Sequence, residues 1–218
     1  MSQRIVLLHA PPVAMVPIQA AFRRLWPEAE IVNLLDDGLT IDRKKSVDLS
    51  PELSQRFVTL GKYGASMQAQ GLLVTCSAFG PAIDVLENEL TIPVLRPNEA
   101  MFRAALEKGM HIGMLATFAP SVVTMEKEFE TFRAQVSSEA TLETIIVPDA
   151  IDALRGGDVE THNRLVAEYA PRLKHCDVIM LAHFSTSQAL KAVEAVVDVP
   201  VLAAPEAAVQ RMRSLLRA

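Results

Sequence analysis

The sequence predicts an α/β protein of two similar domains, each a parallel four-stranded sheet flanked by helices. Three observations predict it. Short apolar runs rich in branched residues alternate with longer helix-like stretches, the pattern of parallel strands joined by crossover helices. Features of the first half recur in the second at one displacement of 107 residues, the separation of Cys76 and His183. A chain of 218 residues is long enough for two modest domains, each with its own core.

Strands are predicted near 4–9, 30–34, 71–75, 92–95, 111–116, 143–147, 177–182 and 199–203. Helices are predicted near 17–26, 51–70, 81–89, 98–108, 121–135, 158–175, 187–196 and 205–217. Over 51–70, Leu53, Phe57, Leu60 and Met67 recur on one face, as Val122, Met125, Phe129 and Phe132 do over 121–135. Asn98, Ser121 and Asp158 read as N-caps, and Gly71 and Gly109 as helix stops. Asp36-Asp37-Gly38 opens a polar segment to about Leu49 that reads as a mobile loop.

The repeat places Leu72-Leu73-Val74 on Ile179-Met180-Leu181 and Cys76 on His183. Ile92-Pro93-Val94-Leu95 falls on Val199-Pro200-Val201-Leu202, and Glu99-Ala100 on Glu206-Ala207. Ile5, Leu8 and Phe22 fall on Ile112, Leu115 and Phe129. Aliphatic matches alone carry little, because any two buried strands share Val, Leu and Ile. The Pro-Val-Leu and Glu-Ala matches in one gapless register carry the argument. The first domain is expected over 1–98, completed by a C-terminal helix at 206–218, and the second over 99–205. The chain would cross near Pro97 and Pro205, and the halves would pack about a pseudo-twofold axis with the site in the cleft between them.

Composition narrows the function. The net charge is −5 and no Lys/Arg stripe is present, which argues against a nucleic-acid partner. No apolar run approaches the roughly 20 residues of a membrane helix. Met1-Ser2-Gln3-Arg4 leads straight into Ile5-Val6-Leu7-Leu8, so no signal peptide is read and a cytoplasmic location is expected. The two cysteines, Cys76 and Cys176, have neither disulfide nor zinc spacing. Phosphate loops, His-Glu-x-x-His, nucleophile elbows and acidic metal clusters are all missing from the sequence, and a reaction without cofactor or metal is expected.

Cys76 follows an apolar strand and precedes Pro81, a residue suited to a helix's first turn. It therefore sits in a strand-to-helix loop at the carboxyl edge of a parallel sheet, where ligands bind and where a helix N-terminus favours thiolate. The alternative is a small buried cysteine filling a strand end. The polar or small neighbours Thr75, Ser77 and Gly80 favour the reactive reading. Cys176 lies at the opposite edge and reads as structural. His183 follows its strand as Cys76 does, and the repeat lifts it above an ordinary packed histidine. The two are expected to reach one substrate carbon from opposite sides, one as base and one as acid. Thr117, Ser77, Ser185 and Thr186 would hold a substrate carboxylate with hydroxyls and loop amides, though such residues also serve as local caps. Pro11, with Pro12, is expected to shape the cleft floor or simply to form a rigid turn. His9 is a weaker candidate behind the site, and His111, His162 and His175 read as surface or strand-edge residues.

Val74-Thr-Cys-Ser-Ala-Phe-Gly-Pro81, Gly113-Met-Leu-Ala-Thr117, the terminal Pro-Val-Leu segments and the duplication together resemble the aspartate/glutamate racemase superfamily. That group includes hydantoin racemases, arylmalonate decarboxylase and maleate isomerase, and Asn33-Leu-Leu-Asp-Asp-Gly-Leu39 resembles an early loop of other members. The resemblance spans nearly the whole chain. It implies two α/β domains around a site with one cysteine from each, without pyridoxal phosphate or metal, and a possible homodimer. By it, Cys76 corresponds to the first catalytic cysteine, and Thr117 and Ser77 to substrate-carboxylate contacts. His183 stands where the second cysteine would be, so two-thiol racemisation does not carry over. Three readings follow: racemisation or epimerisation of a small carboxylate or related carbonyl compound by Cys76 and His183; a single-cysteine decarboxylation or cis–trans isomerisation; or a ligand-binding protein without turnover.

Overall fold

The computed structural model describes residues 2–45 and 48–217. Among these, eight strands form two four-stranded parallel sheets, one in each of two compact units. The first unit is Met1–Pro97 with Ala208–Ala218, and the second is Asn98–Ala207.

The first unit runs β1 (Arg4–His9), α1 (Met15–Leu25), β2 (Glu30–Leu35), α2 (Gly38–Arg43), α3 (Pro51–Ser66), β3 (Gly71–Val74), α4 (Gly80–Glu89) and β4 (Val94–Leu95). Its strand order is β2-β1-β3-β4. The inner strands β1 and β3 are continuous apolar runs, as strands covered on both faces must be. Val6, Leu8, Leu72, Val74, Phe57, Phe79, Ile83 and Leu86 fill one side of that core. Ser50 caps α3 by accepting from the Leu53 N–H at 3.2 Å, and Pro51 takes the first turn. Gly71 is not the stop of that helix. The left-handed residue after it is Gln68, at φ 60°, while Gly71 opens β3 at a place where a Cβ would lie 2.6 Å from Met212 Sδ.

The second unit runs α5 (Glu99–Leu106), β5 (His111–Ala116), α6 (Val122–Gln135), β6 (Thr141–Ile146), α7 (Ala150–Arg155), α8 (Val159–Tyr169), β7 (Val178–Leu181), α9 (His183–Thr186), α10 (Leu190–Glu194) and β8 (Val201–Ala203). The last helix, α11 (Ala204–Leu215), passes from this unit into the first. There Gln3 Nε2 donates to the Leu216 carbonyl at 3.0 Å and Arg213 Nη1 to the Leu25 carbonyl at 2.8 Å. The strand order β6-β5-β7-β8 repeats that of the first unit. A displacement of 107 carries β1 onto β5 and β3 onto β7 end for end, whereas β2 needs 111 to reach β6. The repeat is therefore gapless from the inner strands to the outer β4 and β8, and offset only at β2 and β6.

Several expectations are corrected. The polar segment from Asp36 contains α2, with Leu39 buried; Ser46 and Val47 lie outside the described residues. Arg56 of α3 holds it, donating to Asp36 at 2.5 and 2.7 Å and to Asp42 at 2.9 Å. Such a helix is set by tertiary ion pairs and one buried leucine, which leave no periodic signal. Pro171 breaks the long helix expected over 158–175 into α8 and a 3-10 turn, Ala170–Leu173. Asp158 caps α8 through the Thr161 N–H, but Asn98 and Ser121 make no capping bond. His162 is buried, not at a surface, because it shares the inward face of α8 with Val166.

Gly109 joins α5 to β5 for a steric reason. A Cβ there would lie 2.2 Å from that of Asp177, whose Oδ2 accepts from the Met110 and His111 N–H groups at 2.7 and 2.8 Å. Those backbone bonds hold the Asp177 carboxyl below its ordinary pKa. Gly109→Ala is expected to lower stability in urea denaturation by about 1–3 kcal/mol through overpacking. Gly80→Ala, with no atom within 4 Å of the added Cβ, is expected to stay within about 0.5 kcal/mol of the parent.

Candidate active site

In each unit the chain leaves an inner strand for a neighbour on one side and then returns to the other side. The inner pairs are β1 with β3 and β5 with β7. The carboxyl ends of such a pair form a topological switch point, the place where open α/β sheets bind ligands. Every residue proposed from the sequence as catalytic or substrate-binding falls at these ends.

In the first unit, β3 ends at Val74, Thr75 continues the ladder through its N–H to the Leu8 carbonyl at 3.0 Å, and Cys76 follows. Cys76 is extended, at φ −135° and ψ 121°, and half-buried. It occupies the N-cap position of a 3-10 turn, Ser77–Phe79, that runs into α4. Phe79 anchors this turn by stacking on Phe57 at 4.6 Å, both rings fully buried. Arg43 Nε of α2 donates to the Ala78 carbonyl at 3.3 Å, so the segment read as a mobile loop instead braces the cysteine turn. Ser77 is buried within the turn, and Pro11, half-buried, caps the 3-10 turn Pro12–Ala14 after β1.

His9 ends β1 fully buried beside Thr75. Its Nδ1 lies 2.9 Å from Thr75 Oγ1 and its Nε2 3.0 Å from Asn33 Oδ1, which also accepts from Gln19 Nε2 at 3.0 Å. An amide oxygen only accepts, so Nε2 carries the hydrogen, and the single hydrogen of the Thr75 hydroxyl is shared between Nδ1 and the Leu8 carbonyl, 3.3 Å away. Burial lowers the His9 pKa and the Asn33 bond partly offsets it, which agrees with a neutral ring. The relay fixes the residue immediately before Cys76.

In the second unit, β7 ends at Leu181, the Ala182 N–H reaches the Leu115 carbonyl at 2.9 Å, and His183 follows. His183 has φ 70°, a left-handed conformation that costs a non-glycine residue about 1–2 kcal/mol. Its Nε2 lies 2.5 Å from Ser121 Oγ, which itself donates to the Phe118 carbonyl at 2.9 Å. Nε2 is thus the donor to Ser121, and Nδ1 keeps a lone pair. Nδ1 is enclosed and forms no hydrogen bond, although the nearby Ala182 carbonyl favours a protonated ring. Burial is the larger effect and pushes the pKa from the ordinary 6.5 down to about 4. His183 is a neutral base at pH 7. Beside it, Thr117 and Thr186 are buried with their hydroxyls 3.2 Å apart. One of their two hydroxyl hydrogens is used in that bond, which leaves the other for an anion. Ser185 is buried in α9.

The structure therefore joins Thr117 to Thr186 and His183 to Ser121 within the second unit, and His9 to Thr75, next to Cys76, within the first. Sequence marked Ser121 only as an N-cap and Asn33 only within the loop of the resemblance, and Gln19 not at all, since a lone Ser, Asn or Gln has no spacing that reveals its partner. The 107-residue displacement would have helped with one of them. It sets Thr117, Ser121, Ser185 and Thr186 against Ala10, Ala14, Ala78 and Phe79, and Ala116 and Ala182 against His9 and Thr75. Each unit thus keeps polar groups where its counterpart is apolar.

Neither the protein-family models nor the curated proteins match this chain. Solved structures do. A glutamate racemase from Bacillus anthracis is 19% identical with a TM-score of 0.75, over 99% of this chain and 82% of that one. Allantoin racemase from Klebsiella pneumoniae is 18% identical with a TM-score of 0.74, over 99% of this chain and 88% of that one. An aspartate racemase homologue from Pyrococcus horikoshii is 14% identical with a TM-score of 0.71 over 100% of both. This chain has the racemase fold. Within the racemase fold, Cys76 and His183 each lie two residues past equivalent strands of the two units. Among the described residues, no helix is long and apolar enough to cross a membrane.

Proposed function

We propose that the chain is a cofactor-independent racemase or epimerase of a small carboxylate or related carbonyl compound, with Cys76 and His183 as its proton-transfer groups. The observation that carries this reading is their placement, each two residues past an inner strand at the switch point of its own sheet. Neutral His183 takes the α-proton while the Cys76 thiol delivers one to the opposite face of the carbanion. In the reverse direction the Cys76 thiolate takes the proton and the His183 imidazolium returns one. The spare hydrogen of the Thr117–Thr186 pair, with the Ser77 and Ser185 hydroxyls, binds the carboxylate, and Pro11 bounds the substrate. His9 acts as a positioning residue through Thr75.

A second reading has one specific observation in its favour. A histidine held near pKa 4 is a poor proton donor at neutral pH, which suits one-sided protonation by Cys76 in a decarboxylase, or cysteine addition in a cis–trans isomerase. Amino acids, hydantoins and small dicarboxylates incubated in D₂O and followed by NMR separate the two. The racemase reading expects α-hydrogen replacement with inversion, and His183→Ala slowing inversion by about 100-fold or more. Release of CO₂ with His183→Ala fully active identifies a lyase. A ligand that raises the melting temperature without any turnover identifies a binding protein.

A further inference from the structure

We propose that Glu143, His175 and Cys176 form a site for a borderline-soft divalent cation of the Zn²⁺ type, at the opposite end of β7 from His183. One donor atom from each, a carboxylate oxygen, an imidazole nitrogen and a thiol sulfur, all lie within 4.8 Å of one another. Sequence spacing hides the set, because Glu143 is on β6 while His175 and Cys176 enter β7. The sheet assembles it. The β5–β6 register sets Glu143 beside Gly113, and a Cβ on Gly113 would lie only 3.2 Å from Cys176 Sγ. The space left by the missing side chain is shared by Leu173, at 3.0 Å, and the sulfur. Glu143 Oε2 and His175 Nε2 already face each other at 2.9 Å.

The donor chemistry selects the ion. Thiolate with imidazole and carboxylate suits Zn²⁺ or Co²⁺, whereas Ca²⁺ and Mg²⁺ take oxygen ligands. Tetrahedral ligands at zinc distances stand roughly 3.5 Å apart, so the three donors need to close slightly. Glu143 and His175, with side chains 52% and 58% exposed, have room to turn. Burial and the carboxylates of Glu143 and Asp177 disfavour a bare thiolate, and the same negative field draws a cation. Binding displaces the proton of the Cys176 thiol to solvent. The ion then ties β6 to the entry of β7.

The test is a Co²⁺ titration of the reduced, chelator-treated chain. A stoichiometric thiolate-to-cobalt charge-transfer band in the near ultraviolet, displaced by Zn²⁺, is expected. Cys176→Ala abolishes the band and Cys76→Ala leaves it unchanged. His175→Ala removes an exposed side chain, keeps the far-ultraviolet circular dichroism of the parent, and weakens binding about 10-fold or more. No band at excess Co²⁺ overturns the proposal, as does a band that survives Cys176→Ala, is lost in Cys76→Ala, or is indifferent to His175→Ala.

Discussion

Cys76→Ala is expected to slow inversion of the substrate by about 100- to 10,000-fold, the range in which removal of a positioned acid or base falls. In the two-base scheme each base removes the proton from one enantiomer only. Cys76→Ala should therefore retain His183-dependent exchange on one enantiomer, without inversion, while losing exchange on the other. Cys76→Ser keeps the shape of the turn, yet a hydroxyl holds its proton too tightly to replace the thiol, and it should be similarly impaired. Cys176→Ala is the control, since that thiol is buried at the far end of β7. Its exchange rate should match the parent. Full inversion by the Cys76→Ala protein would remove the thiol from the mechanism. Near-ultraviolet circular dichroism verifies that the Phe57–Phe79 stack beneath the turn persists, so that lost activity is not lost structure.

The second large effect is on stability against acid. His183 has a folded-state pKa of about 4 against an ordinary 6.5. Between these values the unfolded chain binds more protons than the folded one, so its stabilising contribution is complete above pH 6.5 and lost as pH falls to 4. The difference amounts to about 3 kcal/mol. His9 and His162, also lowered by burial, act in the same direction. His183→Asn tolerates the left-handed backbone and has no titrating ring. Unfolding free energies from urea denaturation between pH 7.5 and 4 should fall less steeply for His183→Asn than for the parent, by about that amount over the whole range. Equal slopes would show that the ring is not held neutral by its surroundings.

Much of the candidate site was legible in sequence because a parallel sheet converts linear order into position. An apolar run followed by a small polar loop and a helix puts the loop at the carboxyl edge, which places Cys76, Ser77, Thr117 and His183 there. The 107-residue register then linked the inner strands of the two units. What failed had no linear signature. α2 depends on Arg56 reaching Asp36 and Asp42, and the burial of His162 depends on which face of α8 turns inward.

By itself, then, the sequence determined the strand alternation, the repeat and the location of Cys76 and His183 after the inner strands, since periodicity and local turn chemistry are properties of neighbouring residues. The tertiary structure alone decided their chemical state. The neutral ring of His183 follows from its burial and from Ser121, 62 positions away, and the setting of Thr75 follows from His9 and Asn33. Protonation and hydrogen-bond direction depend on solvent exclusion and on partners distant in sequence, and folding is what supplies both.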